Sequence, residues 1–138
     1  GIEFETRTGS MLNLLSFFYN ITLMNSSVLT GGEKLRDREH PELITNGGIF
    51  LAHSGFDLNL FGKYVSGFEN ERFTDPALGP QPLGDYFTMD LTGGYTFDAL
   101  RSLRVYLNII NLTNKKYSTV VGYPDFGRRI KIGARLVI

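Results

Sequence analysis

Residue types able to do chemistry are sparse in this chain of 138 residues. Cysteine is absent. The two histidines, His40 and His53, show neither a His-x-x-x-His spacing nor a carboxylate cluster, so disulfide scaffolds, thiolate zinc sites, cysteine nucleophiles and a protein-bound metal are not expected. A hydrolase would need a Ser or Asp poised beside a His. Ser66 and Asp90 are present, but nothing in the sequence orients them toward either imidazole. The expectation is therefore no catalytic residue, no metal ligand, no cofactor and no enzymatic activity.

Charge and composition narrow the classes further. There are 14 Lys+Arg against 14 Asp+Glu, a formal net charge of zero without a basic block, which leaves no electrostatic footprint for DNA or RNA. With 42% apolar and 20% charged residues, a disordered tail is excluded as well. Glycine, at 16 residues, is well above the usual ~7%, and the aromatics are 11 Phe and 7 Tyr with no Trp, a composition that suits strands more than helices.

The elements that must position any site read as strands of period two. Residues 1–8 alternate Ile2, Phe4 and Thr6 against Glu3, Glu5 and Arg7. The run Leu14 to Leu29 carries two readings. Asn13, Ser16, Asn20 and Ser27 fall at helical spacing, as the polar stripe of a membrane-seeking helix would, whereas the strand reading aligns Leu15, Phe17, Tyr19, Ile21 and Leu23 on one face. Further strands are expected over Leu43 to Ser54, Phe56 to about Gly67, Tyr86 to Phe97, Leu103 to Ile109 and Arg129 to Ile138. Thr30 to Glu42, Phe68 to Gly84 and Asn114 to Gly127 read as long loops, the second with prolines expected to prevent ladder pairing.

Seven strands thus alternate between short turns and long loops, and most have roughly the length that crosses a bilayer at a tilt. One face of each strand is nearly free of charge. The other carries Glu3, Glu5, Arg7, Asp57, Lys63, Asp90, Arg104, Asn108, Arg129, Lys131 and Arg135. A soluble sheet with one wet face would alternate in the same way. Strand length and loop asymmetry favour instead an outer-membrane barrel, with an apolar face on lipid, a polar lumen, and Tyr19, Tyr64, Phe87 and Phe97 as interfacial girdle positions.

Specific residues carry a family resemblance. Asn111-Leu112-Thr113-Asn114-Lys115-Lys116-Tyr117, then Gly122-Tyr123-Pro124 and Gly127-Arg128 before a final alternating strand, resembles the C-terminal end of TonB-dependent outer-membrane receptors. Gly1-Ile2-Glu3-Phe4-Glu5, the spaced Arg38, Pro41 and Asn46, and Tyr64-Val65-Ser66-Gly67 are similar to marks of the same family. Thr113 stands where the motif usually has Phe, and Ile138 where such chains commonly end in an aromatic.

The resemblance implies an all-β, antiparallel, up-and-down transmembrane barrel in a Gram-negative outer membrane, of which residues 1–138 supply about seven C-terminal strands, the plug and earlier strands being absent. It also implies energy-coupled uptake of a scarce metal chelate, such as a ferric siderophore, haem or cobalamin. The implied partners are that chelate, outer-membrane lipid, the TonB energy-transducing protein through the missing plug, and the barrel-assembly machinery through the last strand; no nucleic acid is expected. Loop candidates for ligand capture are Arg36, Arg38, His40, Phe73, Tyr117, Tyr123 and Phe126, since guanidinium groups suit anionic chelates and aromatic faces suit flat ligands. The lumen-facing set is Glu3, Glu5, Arg7, Asp90, Arg104, Asn108, Arg129, Lys131 and Arg135. A small structural or lipid-binding barrel and a soluble β-sandwich binding module remain as alternatives.

Overall fold

The computed structural model describes residues 1–9, 11–69, 82–97 and 103–136. In chain order the strands are β1 (Ile2–Arg7), β2 (Leu15–Leu23), β3 (Ser27–Thr30), β4 (Glu33–Arg36), β5 (Leu43–His53), β6 (Phe56–Val65), β7 (Phe68–Glu69), β8 (Pro82–Leu83), β9 (Tyr86–Phe97), β10 (Leu103–Ile110), β11 (Ser118–Val120), β12 (Tyr123–Pro124) and β13 (Arg129–Arg135). Seven of them form one sheet in the order β1-β2-β5-β6-β9-β10-β13, each antiparallel to its neighbours. The remaining six pair as three small ladders, β3 with β4, β7 with β8 and β11 with β12.

Because every strand of the sheet reverses direction, alternate connections fall at opposite ends. Residues 8–14, 54–55 and 98–102 join strands at one end, while 24–42, 66–85 and 111–128 join them at the other, each carrying one of the small ladders. The tightest connection is the two-residue turn Ser54–Gly55, both in the left-handed region (φ 47° and 81°), which matches the twist of the flanking strands His53 and Phe56.

The register assigns the two faces. Across the sheet, Phe17, Ile49, Leu60, Leu91, Ile109 and Ile130 form one continuous row, and Leu15, Leu51, Leu58, Gly93, Leu107 and Ile132 the next. No Asp, Glu, Lys or Arg of the seven strands lies on this face among the described residues. It is also bare: Ile49 is 49% exposed, Phe87 48% and Ile132 79%. A soluble sandwich would cover such rows with a second layer, and here the buried hydrophobic residues among those described are Val65, Leu83 and Tyr86, all at the long-connection end.

The all-β antiparallel expectation holds, with seven strands at nearly the expected positions. The sheet is open, since β1 pairs only with β2 and β13 only with β10 among the described residues. Three local expectations change. The run Leu14 to Leu29 is neither a helix nor one strand: β2 stops at Leu23, and Ser27–Thr30 turns back through Gly31–Gly32 onto Glu33–Arg36, a hairpin that straddles the end of that run and the start of the expected loop. Phe68–Glu69 does pair with Pro82–Leu83, because a two-residue ladder at an edge tolerates a proline that contributes only its carbonyl. Tyr19 lies mid-strand in β2, so only Tyr64, Phe87 and Phe97 sit near strand ends. No described helix is long and apolar enough to cross a membrane, which does not bear on strands.

Candidate functional site

Two regions collect the chemistry: the polar face of the sheet and the end where the long connections meet. On the polar face the register brings Glu5 opposite Asn20, Asn20 opposite Asn46, Asn46 opposite Lys63, and Asn108 between Thr92 and Lys131. All the residues expected on that face, Glu3, Glu5, Arg7, Asp90, Arg104, Asn108, Arg129, Lys131 and Arg135, do lie there. Glu5, Lys63 and Asp90 line a hollow of about 530 Å³ on it.

Glycines on this face act as seats for long side chains. Arg104 of β10 crosses β9 over Gly94 and grips Asp57 of β6 in two bonds, Nη1 to Oδ1 at 2.6 Å and Nη2 to Oδ2 at 2.9 Å. A Cβ at Gly94 would collide with the Arg104 guanidinium. Phe18, Phe50 and Phe61 cluster around Gly48, with the Phe50 and Phe61 rings edge to face at 5.3 Å between centroids.

At the other region, residues 111–117 fold into a compact anchor. The Asn111 amide donates to Asp90 Oδ1 at 2.7 Å, and its side chain, 2% exposed, accepts from the Thr113 hydroxyl and the Lys115 amide while donating to the Lys115 carbonyl. The Leu112 amide donates to the Met89 carbonyl, tying the turn to β9. Tyr117 stacks on Tyr86 at 3.9 Å, and its hydroxyl donates to Asp125 Oδ2 at 3.3 Å. Burial, then the Asp125 carboxylate, raises the Tyr117 phenol above its ordinary pKa, so it stays a neutral donor.

This anchor floors a cavity of about 730 Å³, whose walls come from all three long connections. Arg36, Arg38, His40 and Tyr117 line it together; Tyr123 and Phe126 do not, being 76% and 89% exposed elsewhere on the surface, and Phe73 lies outside the described residues. Both arginines and the imidazole are already engaged. Arg36 pairs with Glu42 at 2.5 Å, Arg38 with Glu69 at 3.7 Å, and His40 Nδ1 contacts Asp37 Oδ2 at 3.0 Å. Asp37 also accepts the Glu39 amide, which, with His40, holds its carboxyl below the ordinary value. Lys115 and Lys116 add charge to the same walls and were not singled out by spacing; their place next to Tyr117 in the closing motif was the available signal. No cluster of three or more His, Asp or Glu able to hold a metal ion occurs among the described residues.

No family model matches the chain. A stretch of 87 residues, 62% of the chain, is 36% identical to a formamidopyrimidine-DNA glycosylase of Haemophilus ducreyi. That stretch covers 30% of the relative, so the match spans less than a third of its length.

The match corrects the functional expectations. The relative is by name a DNA glycosylase, hence an enzyme, where energy-coupled uptake of a metal chelate, no enzymatic activity and no nucleic-acid partner were expected. Transport, siderophore uptake, and the chelate, TonB and assembly-machinery partners draw no support from it and are withdrawn. A net charge of zero averages over the chain and does not exclude a local basic stretch: Arg128, Arg129, Lys131 and Arg135 put four cations and no acid into eight consecutive positions.

Proposed function

We propose that the seven-stranded sheet is a wall of an outer-membrane β-barrel in a Gram-negative bacterium, the C-terminal part of a barrel similar to that of the TonB-dependent receptors, with its charge-free face on lipid and its polar face on the lumen. The observation that carries this reading is the exposed apolar face, free of Asp, Glu, Lys and Arg across seven strands and bare of any covering layer among the described residues. Water would penalise so large a patch, and hydrocarbon would not. Its height fits as well. Phe87 and Phe97 on β9 are ten residues apart. At ~3.3 Å per residue and a tilt of ~40°, that separation projects to ~25 Å, the height of the apolar band of such barrels. The three long connections all leave from one end, as outward-facing loops do.

The test is fractionation of cells producing the protein. The chain is expected in the outer-membrane fraction, resistant to alkaline carbonate and released by detergent. Recovery as a monodisperse monomer in plain buffer would sink the reading.

A second reading rests on the similarity to the DNA glycosylase, with the basic strand β13 as the backbone-contacting element. It requires the purified chain to bind duplex DNA containing a formamidopyrimidine base, with affinity that falls steeply as salt rises. Fluorescence anisotropy across a salt series decides it, and an absence of binding at low salt removes it.

A further inference from the structure

We infer that the two open edges of the sheet are built for antiparallel strands of opposite lumen-face charge, and not for each other or for a second copy of this chain; the inference rests on the barrel-wall reading. β1 and β13 are the first and last of seven strands that alternate in direction, so they run the same way. Pairing β1 with β13, within one chain or head-to-tail between copies, would make a parallel ladder in an otherwise antiparallel sheet. Antiparallel neighbours at both edges require an odd number of strands between β13 and β1, which brings the total to an even number.

The edges also differ in charge. On the polar face β1 presents Glu3, Glu5 and Arg7, and β13 presents Arg129, Lys131 and Arg135. Among the described residues, Glu5, Arg7, Arg129, Lys131 and Arg135 form no ion pair, and Glu3 only accepts from the Asn20 amide at 3.1 Å. The Thr8 amide donates to the Phe17 carbonyl at 2.9 Å, so by the alternation of an antiparallel ladder Glu3, Glu5 and Arg7 direct their own backbone groups to the vacant side. Symmetric pairing of two copies would set Glu3 and Glu5 against the same acids, or the β13 cations against cations, and like charges facing across a ladder are unfavourable. The strand beside β1 therefore carries cations opposite Glu3 and Glu5 and a carboxylate opposite Arg7. The strand beside β13 carries carboxylates at alternate positions opposite Arg129 and Lys131, with another near Arg135.

Residues 1–138 contain no cysteine, so each variant introduces a single probe site into this segment. Single variants Ile2→Cys, Thr6→Cys, Ile130→Cys and Ala134→Cys, carrying a benzophenone maleimide, are irradiated in intact outer membranes and the adducts sequenced. Capture of the Tyr19 peptide from Thr6→Cys reports that the β1–β2 ladder is folded. The expected result is adducts on strands outside residues 1–138, shifting backward along the partner as the probe moves forward from 2 to 6, with the stated charges at the facing positions. Glu3→Lys with Glu5→Lys is expected to lower the β1 adduct roughly five-fold, and the Gln pair less, while the Tyr19 capture persists. Adducts between β1 and β13, a forward shift, partners lacking those charges, or no effect of the Lys pair each overturn the inference while leaving the membrane reading intact. Absence of the chain from the membrane fraction overturns both.

Discussion

Arg104 and Asp57 sit on strands that are not neighbours, yet their side chains meet in a two-bond grip directly above Gly94 on the strand between them. The contact exists because Gly94 has no side chain: Asp57 lies opposite Gly94 in the β6–β9 register, and Arg104 pairs with Thr96 one pleat away. Three strands are thereby clamped on the polar face by one ion pair, with 35% and 25% of the two side chains still exposed.

That dependence makes a prediction. Gly94→Ala puts a Cβ into the guanidinium and displaces it, so it should cost about as much as Arg104→Gln, ~1–2 kcal/mol for a partly exposed bidentate pair. The double variant should cost little more than either single one. Detergent-solubilised unfolding of the four proteins measures the cycle, and additive effects would mean that Gly94 matters for a reason other than the Arg104 path.

Leu107 and Asn108 are adjacent on β10 and face opposite ways, Leu107 between Gly93 and Ile132 and Asn108 between Thr92 and Lys131. Leu107→Arg is expected to destabilise the assembled protein by ~2–4 kcal/mol if its row lies near the bilayer midplane, and Asn108→Arg by well under half of that. On the barrel-wall reading, heat-modifiable mobility in membranes reads both. Equal damage would invert or abolish the assignment of faces.

Acid should release the Asp37 turn. The Glu39 amide first, and His40 after it, hold the Asp37 carboxyl below its ordinary value of 3.8, against an opposing contribution from burial. A depressed folded value means that the stabilisation is fully present above the unfolded value and is lost as pH falls through the folded one. Protection of the Glu39 amide from hydrogen exchange, corrected for the intrinsic rate, should hold from neutral pH down to about the ordinary carboxylate range and decline below it. Asp37→Asn should show no such decline, and an unchanged profile in that variant would assign the transition to another group.

The seven main strands were legible because each separates two environments, and a period of two survives wherever one face must be apolar. Phe87 to Phe97 and Leu103 to Ile109 are read to within a residue on that basis. The hairpin of β3 and β4 was hidden because both of its strands are exposed throughout, so neither face imposes a pattern, and Gly31–Gly32 reads equally as loop or turn. The candidate cavity was half legible. Arg36, Arg38 and His40 stand together in the sequence, but their meeting with Tyr117 depends on how three connections converge at one end of the sheet, which spacing does not encode. Their neutralising partners Glu42 and Glu69 were missed for the same reason. A net charge of zero hid the basic stretch of β13, because the sum sets its cations against acids elsewhere, those of β1 among them.

Asn111 should be the residue on which the closing motif depends. It has a left-handed backbone (φ 55°), which asparagine adopts more readily than most residues, and its side-chain amide makes three hydrogen bonds. Asn111→Ala would leave the Lys115 amide and carbonyl without their partner in a part-buried turn and add backbone strain, a loss of ~1–2 kcal/mol. Asn111→Gly should recover the backbone part and not the hydrogen bonds, so it should fall between wild type and Ala. Asn111→Asp should fare no better than Ala, because a carboxylate cannot donate to the Lys115 carbonyl and would set oxygen against oxygen there. The local readout is limited proteolysis at Lys115–Lys116, where cleavage should rise in the order wild type, Gly, then Ala and Asp. If all three variants resist cleavage as wild type does, the anchor is held by the stacking of Tyr117 on Tyr86, and the Asn111 hydrogen bonds are incidental to it.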